Sequence, residues 1–149
     1  MQVLDSHDLK VRFEMAALGT LLNELRERGG NIAELTPAIA EDLLESVMER
    51  FELQSGHEQG PWPALSEATL AARRLAASPQ MLRDSGVLFG SLVAFSSNEA
   101  AEAFTNVPYA KFHVSHLPRT KIPLRDFFDI DLEAVGERAA ELVLSDIAW

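Results

Sequence analysis

Apolar and polar positions alternate with a helical period through the first 55 residues. In the first segment the apolar side chains recur every four residues, which predicts one long helix. These positions are Leu9, Phe13, Ala17, Leu21 and Leu25. We expect Gly29-Gly30 to end this helix, because glycine readily adopts the left-handed conformation that follows a helix C-terminus.

A second helix is predicted to begin with Thr36 as its N-cap and Pro37 at the first helical position. Its apolar side chains also recur every four residues. These positions are Ile39, Leu43, Val47 and Phe51. Two amphipathic helices with a short glycine-containing link predict a helical hairpin over residues 1–55 that packs on another layer.

The helical pattern stops after Gln54. Two glycines and two prolines between residues 55 and 63 predict an irregular loop, and Ser66 is expected to cap a short helix. Residues 88–95 and 99–107 predict a β-hairpin, although the alanines of its second segment are poor strand formers.

The last segment returns to a helical pattern. Residues 122–128 are expected to be extended, and Asp131 is expected to start a final helix. The apolar positions of that helix are Leu132, Val135, Ala139, Leu142 and Val143. The whole pattern predicts one α+β domain over residues 1–149, with an N-terminal helical hairpin packed on a small antiparallel β-sheet and a C-terminal helix at 129–149.

Composition narrows the classes of protein to consider. A chain of 149 residues and 16.4 kDa fits one globular domain. It has no cysteine, which excludes disulfides, thiolate metal sites and cysteine nucleophiles. No apolar run approaches the roughly 18 residues that cross a bilayer, and the first ten residues lack a signal-peptide pattern.

The charge is strongly acidic and unevenly distributed. The formal net charge is −10, and residues 1–60 alone carry 12 acidic and 5 basic residues, a net of −7. Such a chain is a poor ligand for nucleic acid, because it repels phosphates. Residues 111–125 contain basic side chains and no acidic one. A basic segment on an acidic protein suits contact with an acidic protein surface.

The residues that could carry chemistry do not form a known catalytic pattern. His113 and His116 could share a helix face and hold a metal with the acids of residues 126–131, which would suit a small metal-dependent hydrolase. An ordinary surface or structural pair is the simpler interpretation. The acids lack the spacing of a calcium loop. Ser85 lacks a nucleophile-elbow motif, and no phosphate-binding glycine loop is present. We therefore expect no catalytic residue, no cofactor and no small-molecule substrate.

The two tryptophans and Arg125 each leave two interpretations open. Trp62 lies between Pro61 and Pro63, where it serves either as a core side chain or as an interface anchor. Trp149 is expected to dock on its own domain or on a neighbouring subunit. Arg125 could hold a buried backbone carbonyl or an acid from the first helices.

Four blocks follow one another in order between residues 60 and 128. The first contains Trp62, Leu65, Ser66, Thr69 and Arg73. The second contains Leu82, Ser85, Gly86, Leu88 and Ser91. The third contains Thr105, Asn106, Tyr109, Ala110 and His113. The fourth contains Pro123, Arg125 and Phe127. Together they resemble the motifs of the phage virion morphogenesis family, which includes the Mu-type G proteins and the tail completion proteins of contractile-tailed phages.

The resemblance implies a structural protein whose motif residues shape a scaffold or an interface. It implies a neck protein of a phage or prophage, made in the bacterial host cytoplasm, that completes the tail or joins it to the head. The implied partners are further copies in a ring, such as a hexamer, and other tail or connector proteins, with no membrane involved. In such a ring the acidic residues 1–60 could face the basic segment of the next copy, with Lys111, Arg119 and Lys121 as candidate contacts. The alternative to a virion protein is an assembly chaperone or adaptor.

Overall fold

The computed structural model describes residues 9–63, 87–107, 110–114 and 124–147. The elements in chain order are β1 (Lys10–Glu14), a 3-10 helix (Met15–Leu18), α1 (Thr20–Glu27), α2 (Ile32–Leu53), β2 (Ser55–Gly56), β3 (Gly60–Pro61), α3 (Val87–Gly90), β4 (Val93–Ser96), β5 (Ala100–Phe104), α4 (Lys111–Val114) and α5 (Leu132–Ile147). Helices and a small antiparallel sheet confirm the predicted α+β class and the C-terminal helix.

Residue contacts group the described chain into two compact units. The sheet unit comprises Lys10–Ser46, Val93–Phe104 and residues 131–147. The aromatic unit comprises residues 9, 47–63, 87–92, 105–107, 110–114 and 124–130. None of the described helices is long and apolar enough to span a membrane.

The sheet unit is built around three antiparallel strands in the order β1-β5-β4. On the inner face Val11 lies opposite Ala103, and Phe13 opposite Ala101. All four side chains are buried. The alanines that weakened the strand prediction occupy the central strand, where small side chains leave room for their larger neighbours on β1. Helix α5 contacts β1, the 3-10 helix and α1.

Strand β1 corrects the prediction of a helix beginning at Leu9. Leu9 and Phe13 fit a period of four, but they also fit a period of two with Val11 between them. All three side chains are buried, while those between them are polar or charged. Strand β5 supplies the ladder of backbone hydrogen bonds, so the two-residue period prevails over residues 10–14. The helical prediction holds only from Thr20.

Gly29 and Gly30 end α1 as predicted. Gly29 has φ +77°. Its N–H donates to the Arg26 carbonyl at 3.1 Å, and the Gly30 N–H donates to the Leu25 carbonyl at 2.9 Å. These two bonds form the Schellman arrangement, which satisfies the last carbonyls of a helix.

Helix α2 begins five residues before the predicted start, at Ile32 instead of Pro37. Asn31 is the N-cap, since its Oδ1 accepts the Ala33 N–H at 2.9 Å. Thr36 and Pro37 lie inside the helix, and the Thr36 hydroxyl donates to the Ile32 carbonyl at 2.9 Å. The predicted apolar row is confirmed as fully buried; its members are Ile39, Leu43, Val47 and Phe51.

Four further predictions have different outcomes. Residues 93–96 and 100–104 form the predicted hairpin, but residues 87–90 form a helical turn. Residues 55–63, expected to be irregular, contain the two-residue ladder of β2 and β3. The described part of 122–128 holds no strand. Asp131 caps α5, since its Oδ1 accepts the Ala134 N–H at 3.0 Å.

Candidate functional site

Trp62 is a core side chain of the aromatic unit. It follows the β2–β3 ladder, where Ser55 pairs with Pro61, and its own N–H donates to the Gln54 carbonyl at 2.8 Å. The residue is only 4% exposed. Of the two interpretations of Trp62, the burial supports the core side chain.

Phe51 is the centre of an aromatic cluster around Trp62. Its ring meets Trp62 edge to face, with centroids 5.9 Å apart. Phe89 lies 5.2 Å from Phe51, and Phe127 lies 5.1 Å from it. Phe128 in turn lies 4.7 Å from Phe127. Such ring pairs contribute about 0.5–1.5 kcal/mol beyond their buried area. The cluster joins α2, α3 and two loops.

The Arg125 side chain binds the backbone carbonyl of Pro63, the residue that follows Trp62 in the chain. The residue is 6% exposed, and its Nε and Nη2 donate to the Pro63 carbonyl at 3.1 and 2.8 Å. Its backbone N–H donates to the His113 carbonyl at 2.9 Å. A backbone carbonyl is thus one of the two kinds of partner that the sequence suggested for Arg125, although Pro63 itself is exposed. These bonds bring the first, third and fourth motif blocks together.

Asp129 secures the loop between β2 and β3. Its carboxylate accepts the backbone N–H of Glu58 at 3.0 Å and that of Gln59 at 2.9 Å. Its carbonyl accepts the His57 N–H at 2.8 Å. Gly56 has no side chain to obstruct this contact, since a Cβ there would collide with the Asp129 carboxylate. No sequence motif predicts this role for Asp129, and the only local signal is the glycine at position 56.

Gln59 adds further hydrogen bonds between the β2–β3 loop and residues 124–129. Its Nε2 donates to the Leu124 carbonyl at 2.6 Å, and its Oε1 lies 3.4 Å from the Asp126 N–H. The Asp126 carboxylate itself accepts the Phe128 N–H at 3.0 Å. The acids at 126, 129 and 131 therefore each accept backbone N–H groups. In the described part of the chain, no three histidine or acidic side chains converge on a point that could hold a metal.

Buried Thr105 and half-buried Ser91 form a pair of hydroxyls between the second and third blocks. Their oxygens are 2.6 Å apart. The Ser91 hydroxyl donates to the Leu88 carbonyl at 2.6 Å, so Thr105 is the donor within the pair. Thr105 Oγ1 also accepts the Val107 N–H at 3.2 Å. Leu88 and Ala110, from the same blocks, are buried.

Several predicted site residues lie outside the described residues. They are Leu65, Ser66, Thr69, Arg73, Leu82, Ser85, Gly86, Tyr109, His116, Arg119, Lys121 and Pro123, and Trp149 lies outside too. Lys111 is described only as part of the α4 backbone. Asn106 is exposed and His113 half-buried.

The outer face of the sheet carries a compensated group of charges. Lys10 Nζ lies 3.1 Å and Arg12 Nη1 lies 2.7 Å from the Glu102 carboxylate. Burial alone raises the pKa of Glu102, but the hydrogen bonds from Lys10 and Arg12 outweigh it and hold that pKa below its ordinary value. Glu14 and Glu102 raise the pKa of Arg12. These residues are a salt-bridge cluster of the sheet.

A second ion pair joins two helices of the sheet unit. Arg138 on α5 donates through Nε to both oxygens of Asp42 on α2, at 3.1 and 2.9 Å. Its Nη2 donates to the Ser46 hydroxyl at 3.3 Å. Glu41 and Glu45 are exposed on α2, so this part of the helix surface remains acidic.

The motif residues that the structure describes hold loops together through internal hydrogen bonds and ring contacts. Comparison with known proteins agrees with a structural role. A sequence model of the phage virion morphogenesis family matches residues 13–144, well over half of the chain. The search of curated proteins and the search of solved structures each found no match.

Proposed function

The chain therefore belongs to the phage virion morphogenesis family, and we propose that it is a neck protein that completes the tail of a phage or prophage or joins the tail to the head. Membership in this family indicates a structural or assembly role in building the virion. The position in the neck is the finer step that we propose.

The observation that carries the proposal is the use of motif residues in internal contacts across a family match of 132 residues, counted from 13 to 144. Arg125 holds the Pro63 carbonyl, and Thr105 bonds Ser91. Trp62 packs on Phe51. These are the contacts of a rigid docking scaffold. A reaction centre would need some of these polar groups to face a substrate.

We propose further that copies assemble head to tail into a ring. In this contact the acidic surface of residues 1–60 faces the basic segment 111–125 of the next copy. The exposed carboxylates of Glu41 and Glu45 on α2 support this arrangement. Oppositely charged segments in one chain favour heterologous contacts between copies, which close into a ring when the rotation allows it.

The position in the particle is tested in the phage or prophage that encodes the chain. Purified particles should contain the protein by mass spectrometry, and gold-labelled copies should lie at the junction of head and tail. Deletion of the gene should leave heads and tails unjoined, with normal joining restored by the wild-type gene. A protein required for joining but missing from finished particles would contradict the neck position and indicate an assembly chaperone.

The electrostatic contact has its own test. The double variant Glu41→Lys/Glu45→Lys should weaken ring assembly on isolated tails, and high salt should weaken assembly of the wild-type protein. The matched control is Glu133→Lys/Glu137→Lys, which makes the same charge change at exposed positions of α5. Equal losses in both variants would show that only net charge matters and would contradict the proposed contact surface.

A further inference from the structure

Strand β4 is an edge strand of the sheet with two large apolar side chains in solvent. Within the described chain it pairs only with β5. Val93 is 43% exposed and Phe95 is 54% exposed. Both side chains point to the outer face, as shown by their register opposite Phe104 and Glu102.

The backbone of β4 is directed so that its outer edge can accept another strand. The Ser97 N–H donates to the Ala100 carbonyl at 2.9 Å, in register with the pairs of β4 and β5. Hydrogen-bonded and non-hydrogen-bonded pairs alternate along an antiparallel ladder. Residues 93 and 95 therefore bond to β5, while Ala94 and Ser96 direct their N–H and C=O groups to the outer edge.

This edge lacks the features by which proteins prevent strand pairing. Natural edge strands carry charges, proline or a bulge. The residues of β4 are Val93, Ala94, Phe95 and Ser96, none of which is charged or proline. The opposite edge strand, β1, does carry charges, namely Lys10, Arg12 and Glu14.

Charge favours a second copy of this chain as the occupant of the edge. Two copies with a net charge of −10 each repel one another over most surfaces. The strip beside β4 is an exception, because Glu102 next to Phe95 is compensated by Lys10 and Arg12. Two such strips can approach without that repulsion.

We propose that β4 pairs antiparallel with β4 of a second copy, with the two Ala94 residues facing each other on a two-fold axis. In this register Phe95 of each copy lies opposite Val93 of the other, in a non-hydrogen-bonded pair where side chains approach most closely. Both exposed apolar side chains are thereby covered. This dimer of the free protein does not rest on the proposed role in the neck.

The contact is small, so the dimer forms at high protein concentration. Stable interfaces bury about 1,200 Å² or more, and a four-residue edge provides less. The weight-average mass of the wild-type protein in light scattering should therefore rise with concentration towards twice that of the monomer. A mass that stays at the monomer value over the whole accessible range would overturn the proposal.

The register can be tested by cross-linking, because the chain has no cysteine of its own. Opposed Ala94 residues in a hydrogen-bonded pair have Cα atoms about 5.5 Å apart, which suits a disulfide. The variant Ala94→Cys should give a covalent dimer under mild oxidation, and the exposed helical control Leu144→Cys should give much less. Equal cross-linking of both variants would overturn the proposed pairing.

A charged side chain on β4 provides a second test. Because Phe95 is exposed, its replacement should leave the fold intact. The variant Phe95→Lys should remain monomeric at concentrations where the wild type dimerises, and Leu144→Lys should dimerise like the wild type. Circular dichroism confirms folding of each variant. Dimerisation of Phe95→Lys at the wild-type level would overturn the proposal. Incorporation into particles is measured separately, so failure of the dimer and failure of the neck role give different results.

Discussion

Arg125 shows how one buried side chain can fix a loop that the sequence leaves undefined. Its two donors meet a single carbonyl, that of Pro63, in a site almost closed to water. The sequence suggested a carbonyl as one of two partners, but it could not identify Pro63, which lies 62 residues away. Hydrogen-bond partners at such separations depend on the packing of the whole unit and leave no local pattern.

We expect Arg125→Lys to lower the free energy of unfolding by about 1–3 kcal/mol, because lysine cannot reproduce the two hydrogen bonds that the buried guanidinium donates to the Pro63 carbonyl. Urea unfolding measures the change. The control is Arg138→Lys, whose side chain is half exposed and whose partner is Asp42; its loss should stay below about 1 kcal/mol. Equal losses would contradict the importance of the buried site.

Glu102 gives stability a dependence on pH. Its pKa in the folded protein lies below the ordinary value of 4.5, so its contribution is present above that value and is lost as pH falls through the folded pKa. We expect Glu102→Gln to be less stable than the wild type at neutral pH, and the difference to shrink in acid below pH 4.5. A difference that is constant across pH would contradict the ion pairs with Lys10 and Arg12. Urea unfolding over a pH series measures it.

At the scale of elements, long periodic segments were predictable and short ones were not. Helix α2 and helix α5 were found from apolar rows that extend over several turns. In α5 the predicted Val135, Ala139 and Val143 are buried, whereas Leu132 and Leu142 of the same row are exposed. Strand β1 was missed because Leu9 and Phe13 satisfy two periods at once. The helical turn α3 was missed because four residues are too few to show a period. Whether all 149 residues form a single domain stays a prediction.

Gly136 lies inside α5, and its replacement tests the packing of that helix on the sheet. A Cβ there would sit 3.4 Å from Phe13 Cε1, an ordinary contact distance. We expect Gly136→Ala to raise the free energy of unfolding by about 0.5–1 kcal/mol, because alanine has the higher helix propensity. A decrease in thermal-denaturation midpoint would contradict this spacing between α5 and β1.

Gly56 provides the opposite case within the aromatic unit. A Cβ at this position would collide with the Asp129 carboxylate and disturb its bonds to the β2–β3 loop. We expect Gly56→Ala to lower the denaturation midpoint clearly. The control is Gly90→Ala, where nothing lies within 4 Å of an added Cβ, and this variant should change the midpoint little. Similar midpoints for the two variants would contradict the close approach.

At the scale of the whole molecule, the net charge of −10 opposes compactness. We expect about 0.15 M sodium chloride to raise the urea midpoint, because a Debye length of about 8 Å screens repulsion between exposed acids more than it weakens the part-buried ion pairs of Glu102. Potassium chloride should act in the same way. A midpoint that falls with salt would show that ion pairs outweigh the repulsion.

The long-range hydrogen bonds of the aromatic unit also determine when this unit can form during synthesis. The side chains of Arg125 and Asp129 bind residues that precede them by 62 to 71 positions. Because such contacts wait for distant parts of the chain to meet, they slow folding. On the ribosome, the segment around Trp62 meets these partners only after residues 124–130 have emerged. Until then Phe51 lacks its ring contact with Phe127, and the Pro63 carbonyl lacks the Arg125 side chain. This nascent stage is where we expect the protein to be most dependent on chaperones.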